Sequence, residues 1–357
     1  MKYLRHLILA LLLLSQVTLV SGKPPVLSEK HLASPPPRII RPCCSFGSDL
    51  RLAVIPVVTV THIASLATIG PHQYLGHLKE NNGIIYTKNG GFIDLGHLRD
   101  LADWTAYLHA MIRQNQGKGE ITLKLGHEGG FKTLLLNIPA SLNNADAVLL
   151  AGRIAYDLSV WHEIATWFGA SYIPLVTERY SSFSIEDAYS NLLGVTLSME
   201  ALQSDLPYEA AMTQLLAQTL RRLDALSTEA ETYAAMEAVH NVWWTREKRI
   251  PSARILLERQ IEVYAPLQPM LVPGLNANAA TACILTVPEY TLNGRYLQDF
   301  YQLSIKPNYK VPYRAIFPNQ GRRILTQRDF STMLHQVAKE WQDIQLQPTP
   351  VLFPSRG

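Results

Sequence analysis

Two adjacent ionisable residues, His162 and Glu163, stand in an apolar run that reads VWHEIATWFG. The pair begins like the His-Glu-x-x-His motif of zinc peptidases. In that motif two histidines one helical turn apart bind zinc, and the glutamate between them serves as the base. The position of the second histidine is occupied by Thr166, whose hydroxyl is a poor substitute for an imidazole ligand. Any metal site at this pair must therefore take ligands from elsewhere in the chain.

Further ligand-type residues occur in two other segments. His97 and Asp100 lie three positions apart in DLGHLRDLADW, a spacing that puts both on one face of a helix. Glu186 and Asp187 open another predicted helix in the segment IEDAYSN, and Asn191 follows one turn later. Nitrogen and oxygen ligands of this kind bind zinc, manganese or iron. The three segments together predict one mixed-ligand metal site.

We hypothesise that His97, Asp100 and His162 bind a divalent metal, most readily zinc. Glu163 would be the catalytic base that activates a water bound to the metal. The residues expected to support this site are Glu186, Asp187, Asn191 and Tyr156. The sequence thus favours a metal-dependent hydrolase.

The same residues also have structural interpretations. His97 and Asp100 can form an exposed pair at a helix start, and Asp187 fits a capping position. His162 and Glu163 can form a buried hydrogen-bonded pair that only fixes helix packing. The alternative function is then a non-catalytic envelope scaffold or binding module. A third hypothesis, metal-free hydrolysis of a glycan by Glu163, needs a second carboxylate about 5–9.5 Å away.

Helical periodicity predicts the elements that carry these residues. The longest predicted helix covers 145–168, with Asn143 or Asn144 as its cap and Gly169 after its end. A second covers 97–114. A third begins at Ser184, with Asp187 three residues later in a spacing that resembles a capping box.

Two hairpins and several C-terminal helices complete the predicted fold. One hairpin turns at Asn89-Gly90, and the other at residues 127–130, where His127 beside Glu128 is expected to be solvated. The remaining helices are predicted near 207–240, 252–264 and 326–343, the last with Thr326 and Asp329 as a cap. The fold class predicted is α+β, a helix-dominated single large domain with a small antiparallel sheet built from hairpins.

The first 22 residues are typical of a signal peptide. Lys2 and Arg5 precede the apolar run LILALLLL, and small residues precede a cleavage position before Lys23. The apolar run is shorter than a membrane-spanning helix normally requires, so no transmembrane span is expected after cleavage. The domains predicted are a signal peptide (1–22), a proline-rich linker (23–42), a globular domain (43–346) and a flexible tail (347–357). This organisation predicts a periplasmic or secreted protein.

Charge and cysteine content add weaker constraints. The net charge is +3 without a basic stripe, so no nucleic-acid partner is expected. Oxidation is permitted after export, and a bridge from Cys43 or Cys44 to Cys283 would leave one thiol free. Three reduced, buried cysteines are equally compatible with the odd count.

Several long strings resemble the hallmark segments of an uncharacterised family of exported bacterial proteins. They are RPCCSFG, NGIIYTKNGGFIDLGHLRDLADWTAY, WHEIATWFG, SSFSIEDAYSNLLG and MLVPG. The resemblance covers most of the chain after the linker and implies an exported bacterial protein with one large domain. It implies no activity, so the substrate expected, an envelope polymer or a peptide, follows only from the predicted location.

Overall fold

The computed structural model describes residues 27–37, 39–41, 45–53, 55, 57–171, 178–275, 281–321 and 323–346. The predicted signal peptide, the predicted tail, Cys43 and Cys44 lie outside these ranges. Cys283 is a half-buried thiol, and the predicted pairing with the vicinal cysteines stays a prediction.

The described elements follow one another in a helix-rich order. They are α1 (Glu29–Leu32), β1 (Ile84–Thr87), β2 (Gly91–Asp94), α2 (Leu95–Asn115), β3 (Glu120–His127), β4 (Gly130–Asn137), α3 (Asn144–Trp167), α4 (Asp187–Gln203), α5 (Tyr208–Arg222), α6 (Glu229–Ala238), β5 (Tyr301–Pro307), α7 (Tyr313–Ile316), β6 (Leu325–Thr326) and α8 (Phe330–Leu346). None of the helices in this described part is long and apolar enough to cross a membrane.

The strands form two antiparallel sheets, and the predicted α+β class is confirmed. β1 and β2 form a two-stranded sheet, while β3, β4, β5 and β6 form a four-stranded sheet in that order. Both predicted hairpins are present at their predicted turns, one in each sheet. β1 and β2 are buried along their whole length, whereas the four-stranded sheet alternates buried and more exposed residues. One sheet therefore lies inside the fold, and the other has a face toward solvent.

Helices α2, α3 and α4 pack against one another and carry the ligand-type residues. Two glycines allow the close approach. A Cβ atom on Gly194 would lie 1.9 Å from the carbonyl oxygen of Leu98, and one on Gly152 would lie 2.6 Å from the sulfur of Met199. Since real Cβ atoms do not approach backbone oxygens so closely, the α2–α4 crossing requires glycine at 194.

Of two predicted helix starts, one is confirmed and the other is wrong. The cap of α3 is confirmed, because the side-chain oxygen of Asn143 accepts a hydrogen bond from the Asp146 amide at 2.8 Å. The predicted capping box at Ser184 is wrong, since α4 begins three residues later at Asp187. The Ser184 hydroxyl donates to the Glu186 carboxyl group and is not used to cap a backbone amide.

The C-terminal helices also differ in part from prediction. The segment near 207–240 is divided into α5 and α6, because Asp224 adopts a left-handed conformation and Thr228 opens a new capping box. The segment 252–264 is not helical; its Leu256 forms a β-bridge with Trp244. The cap formed by Thr326 and Asp329 is confirmed.

The described part of the predicted linker packs against the domain. Leu27 is buried in the main core, and Arg41 is buried in ion pairs with Glu80 and Asp103 at 2.6 and 2.8 Å. Residues 39–41 are therefore part of the folded structure rather than an extended connection. Proline content indicated an extended backbone, but it could not reveal that a buried arginine fixes this segment.

Candidate metal centre

Three helix ends bring the site together. His97 lies in the first turn of α2, Glu163 in the last turns of α3, and Asp187 is the first residue of α4. Asp94 caps α2, and its carboxylate accepts hydrogen bonds from the amides of Gly96 and His97 at 2.7 and 3.1 Å. The cap fixes the backbone from which the imidazole of His97 projects.

His97, Glu163 and Asp187 form a compact ligand cluster. One ligand atom from each of the three side chains lies within 4.8 Å of those of the other two. In a tetrahedral zinc site with bonds of about 2 Å, two ligand atoms are about 3.3 Å apart. Side-chain movements of about 1 Å would therefore close the three groups around an ion.

One carboxylate oxygen of Glu163 receives no hydrogen bond from the part of the chain that the structure describes. The side chain is buried, with 3% of its surface exposed, and one oxygen accepts a hydrogen bond from the Phe183 amide at 2.6 Å. The other oxygen, Oε1, accepts no hydrogen bond from any described residue. Burying an unsatisfied carboxylate oxygen is costly, and coordination of a metal ion is one way of satisfying it.

The imidazole of His97 is oriented for metal binding. Its Nδ1 lies 3.2 Å from the amide oxygen of Asn191, and its Nε2 lies 3.7 Å from Asp187. Donation from Nδ1 to Asn191 directs Nε2 toward the carboxylates, as in many histidine–metal sites. Burial opposes the charged form, but Asp187, Asp94 and Glu163 together raise the pKa of His97 to about 10. A metal ion bound at Nε2 would take the place of this proton.

Glu186 lies beside this cluster as the residue before α4. Burial raises its pKa to about 8, and the nearby charge of Asp94 acts in the same direction. The hydrogen bond from Ser184 opposes the shift without cancelling it. Near neutral pH Glu186 is therefore mainly protonated, which reduces the negative charge next to the two ligand carboxylates.

The structure places two other predicted site residues outside the cluster. Asp100 accepts hydrogen bonds from the side chain of Arg41 at 2.9 Å and from the Ile40 amide at 3.1 Å. Burial raises the pKa of Asp100 to about 6, although Arg41 lowers it. The Tyr156 hydroxyl donates to the carbonyl of Val263 at 2.6 Å. Both groups are engaged by other parts of the chain.

His162 lies next to the cluster but points to a different partner. Its ring centroid is 6.1 Å from that of His97, and its Nδ1 is 2.5 Å from Glu128. The other oxygen of Glu128 forms an ion pair with Lys132 at 2.7 Å. Thr166, at the position of the missing histidine, donates its hydroxyl to the carbonyl of His162 at 2.9 Å. Thr166 is thus a packing residue of α3.

Glu128 is a site residue that the sequence did not reveal. It lies at the tip of the second hairpin, where His127 is exposed as expected but Glu128 is only 6% exposed. Gly129, with a φ of 60°, lets the tip approach α3; a Cβ atom there would lie 2.6 Å from that of Ala165. Trp161 donates its indole N–H to the Glu128 carbonyl at 2.7 Å. In the sequence, the pair Glu128-Gly129 at the predicted turn was the one signal that the hairpin tip could lie close to another element.

A cavity of about 60 Å³ lies beside the cluster. It has room for a few water molecules or a small chemical group. Its lining residues are Ile39, Arg41, His97, Asp100, Leu101, Trp104, Glu128, Lys132, Leu158, Ser159, His162 and Asn191. His97 belongs to both the cluster and the cavity, so it connects the two.

Fold and site together define an α+β protein with a buried histidine–carboxylate cluster next to a small cavity. The chain belongs to the family described as "Protein of unknown function (DUF4056)", whose sequence model matches residues 31–273. This region is more than half of the chain and contains His97, Glu163 and Asp187. No curated protein and no solved structure matches the chain.

Proposed function

We propose that the protein is a metal-dependent hydrolase of the bacterial cell envelope, with His97, Glu163 and Asp187 as its metal ligands. The observation that carries the proposal is the buried Glu163 carboxylate, one oxygen of which has no hydrogen-bond donor among the described residues and lies within a three-residue ligand cluster. A purely structural pair would be expected to satisfy both oxygens, because nothing in packing compensates a lone buried one.

The donor set suits a divalent metal. Two carboxylates neutralise a 2+ ion, and one imidazole adds the nitrogen ligand that zinc, manganese and iron accept. Catalytic zinc sites commonly have three protein ligands, which leaves a coordination position for water or substrate. Zinc is the metal we propose, and Asn191 would hold the imidazole of His97 in place from outside the ligand set.

The proposed roles differ from those inferred from the sequence. Glu163 becomes a ligand, and the role of base passes to His162, whose ring lies 6.1 Å from that of His97. A bound metal would supply acidity to a water ligand. We assign to His162 the acceptance of the released proton, and the distance of 2.5 Å between its Nδ1 and Glu128 supports this role. Asp187 replaces Asp100 as the aspartate ligand, because Arg41 engages Asp100.

Location in the cell envelope is supported by the sequence of residues 1–22. The basic start, the short apolar run and the small residues before Lys23 are features of a cleavable signal peptide. An exported hydrolase would meet envelope polymers or peptides as substrates. We expect cell fractionation to find the protein in the periplasm. N-terminal sequencing should show that residues 1–22 have been removed.

Metal analysis tests the proposal directly. Protein purified without chelators and without a metal-affinity tag should contain about one equivalent of metal by plasma mass spectrometry. His97→Ala should lose this metal because the only imidazole of the cluster is removed. Thr166→Val and Asp100→Asn are matched controls, since neither residue belongs to the cluster, and both should keep it.

Two outcomes would contradict the proposal. Wild-type protein that takes up no metal, even after addition of zinc or manganese, would favour the scaffold alternative. Metal loss in Asp100→Asn with retention in Asp187→Asn would instead favour the ligand set inferred from the sequence.

A further inference from the structure

The charged groups that line the cavity are paired with one another. Arg41 forms ion pairs with Asp100 and Asp103 at 2.9 and 2.8 Å, and with Glu80 at 2.6 Å. Lys132 forms an ion pair with Glu128 at 2.7 Å. The two cations in the lining therefore already have carboxylate partners.

Among the described residues that line the cavity, the charges sum to zero when the histidines are neutral. Two cations, Arg41 and Lys132, face two carboxylates, Asp100 and Glu128. A divalent ion held by Glu163 and Asp187 would add no net charge. Sites for phosphate or carboxylate groups offer arginine or lysine donors that are available to the ligand. This cavity offers neither cation freely, so an anionic group would be bound poorly.

Part of the cavity lining is apolar. Leu101, Trp104 and Leu158 line it, and all three are at least nine-tenths buried. With a volume of about 60 Å³, the cavity holds a group of only a few non-hydrogen atoms. Because the cavity is small, partly apolar and without net charge in its described lining, it favours a short, uncharged acyl chain.

We infer that the substrate is a neutral ester or amide with a short acyl group, which the cavity binds against Trp104. The inference rests on the proposed function and names the substrate class of that same site. Only the acyl group must enter the cavity, so the rest of the substrate can be a larger envelope molecule. The chemistry is hydrolysis without any other reactant. The oxygen of water bonds to the carbonyl carbon, and the bond from that carbon to the alcohol oxygen or amine nitrogen breaks. A water proton passes through His162 to the leaving group.

Cobalt-substituted protein provides a binding assay that does not require the natural substrate. Its visible spectrum would report binding of acetohydroxamic acid, octanohydroxamic acid or inorganic phosphate at the metal. Hydroxamic acids carry an acyl chain of chosen length and bind a metal as the hydroxamate, which bears a single negative charge, less than phosphate carries on average near neutral pH. The wild type should bind acetohydroxamic acid at least about tenfold more tightly than either octanohydroxamic acid or phosphate.

Substitutions at Trp104 test the size of the acyl group that the cavity accepts, and a substitution at Ile39 tests the charge. Trp104→Ala should improve octanohydroxamic acid binding relative to acetohydroxamic acid by about tenfold, because it enlarges the apolar part of the cavity. Trp104→Phe, which keeps an aromatic wall, should change this ratio little. Ile39→Lys adds a cation to the cavity lining at a half-buried position and should strengthen phosphate binding relative to acetohydroxamic acid binding by about tenfold.

The other possible results distinguish failure of the substrate class from failure of the proposed metal site. Cobalt uptake with phosphate bound more tightly than acetohydroxamic acid would overturn the substrate class and leave the metal site intact. An unchanged chain-length ratio in folded Trp104→Ala would do the same. Failure of the wild type to take up cobalt would overturn the proposed function, and the substrate class with it.

Discussion

Replacing Glu163 by glutamine distinguishes a metal ligand from a packing residue. Ligand atoms in the cluster are within 4.8 Å, where two unit charges at an effective dielectric constant of about 20 interact by roughly 3.5 kcal/mol. In the metal-free protein, the Glu163 carboxylate is attracted by protonated His97 and repelled by Asp187 with energies of this same order. These two effects nearly cancel, which leaves the attraction between Glu163 and the buried guanidinium of Arg259 as a loss. The metal-free free energy of unfolding should therefore fall by less than about 2 kcal/mol.

Metal binding should respond much more strongly to the same substitution. The glutamine oxygen can still accept the hydrogen bond from Phe183, but a neutral amide is a weak ligand for zinc. We expect the metal affinity to fall at least about 100-fold, or roughly 2.7 kcal/mol. Competition with a chromophoric chelator would measure the affinity, and urea unfolding after metal removal would measure stability. Thr166→Val is the control whose metal affinity should stay near that of the wild type.

The packing interpretation predicts a different pair of results. Loss of one partner from a buried charged pair typically destabilises a protein by about 3–5 kcal/mol. A Glu163→Gln variant that is destabilised by this amount without metal, yet binds metal like the wild type, would refute the reasoning above.

Three further outcomes are expected. Glu128→Gln should keep its metal but slow ester hydrolysis by about 10–100-fold in steady-state assays, because His162 loses its charged partner; rates equal to wild type would exclude this role. Gly129→Ala should lower stability by about 1–3 kcal/mol in thermal unfolding, because φ is 60° and the new Cβ meets Ala165 at 2.6 Å. Burial raises the pKa of Glu80, but Arg41 outweighs it and lowers the pKa from 4.5 to about 2. The resulting stability, about 3 kcal/mol, is present above pH 4.5 and lost as pH falls toward 2; urea midpoints that do not decrease over this range would contradict it.

Local sequence determined the elements that carry the site. The apolar period and the Asn143 cap predicted α3, and the turn residues Asn89-Gly90 predicted the first hairpin. These signals depend on neighbouring residues in the chain, so no knowledge of the tertiary structure was needed. The same reasoning failed at Ser184, where a competing hydrogen bond to Glu186 removed the hydroxyl from its capping role.

Sequence also identified the residues of the cluster, but not their roles. His97, Glu163 and Asp187 were all candidates, because ionisable groups in apolar helices need a partner. Which of them share one ion depends on how α2, α3 and α4 cross. That crossing depends on glycine contacts such as Gly194 against Leu98, which connect distant parts of the chain.

The partners of the Asp100 and Glu128 side chains could be identified only from the tertiary structure. The three-residue spacing puts His97 and Asp100 on one helix face, yet Arg41, 59 residues earlier in the chain, engages Asp100. Glu128 lies at a hairpin tip, a position usually exposed to solvent, but the tip packs on α3. Local patterns specify the face of an element on which a side chain lies. The partner that meets that face depends on long-range packing, and this packing decided which of the candidate groups can share a metal ion.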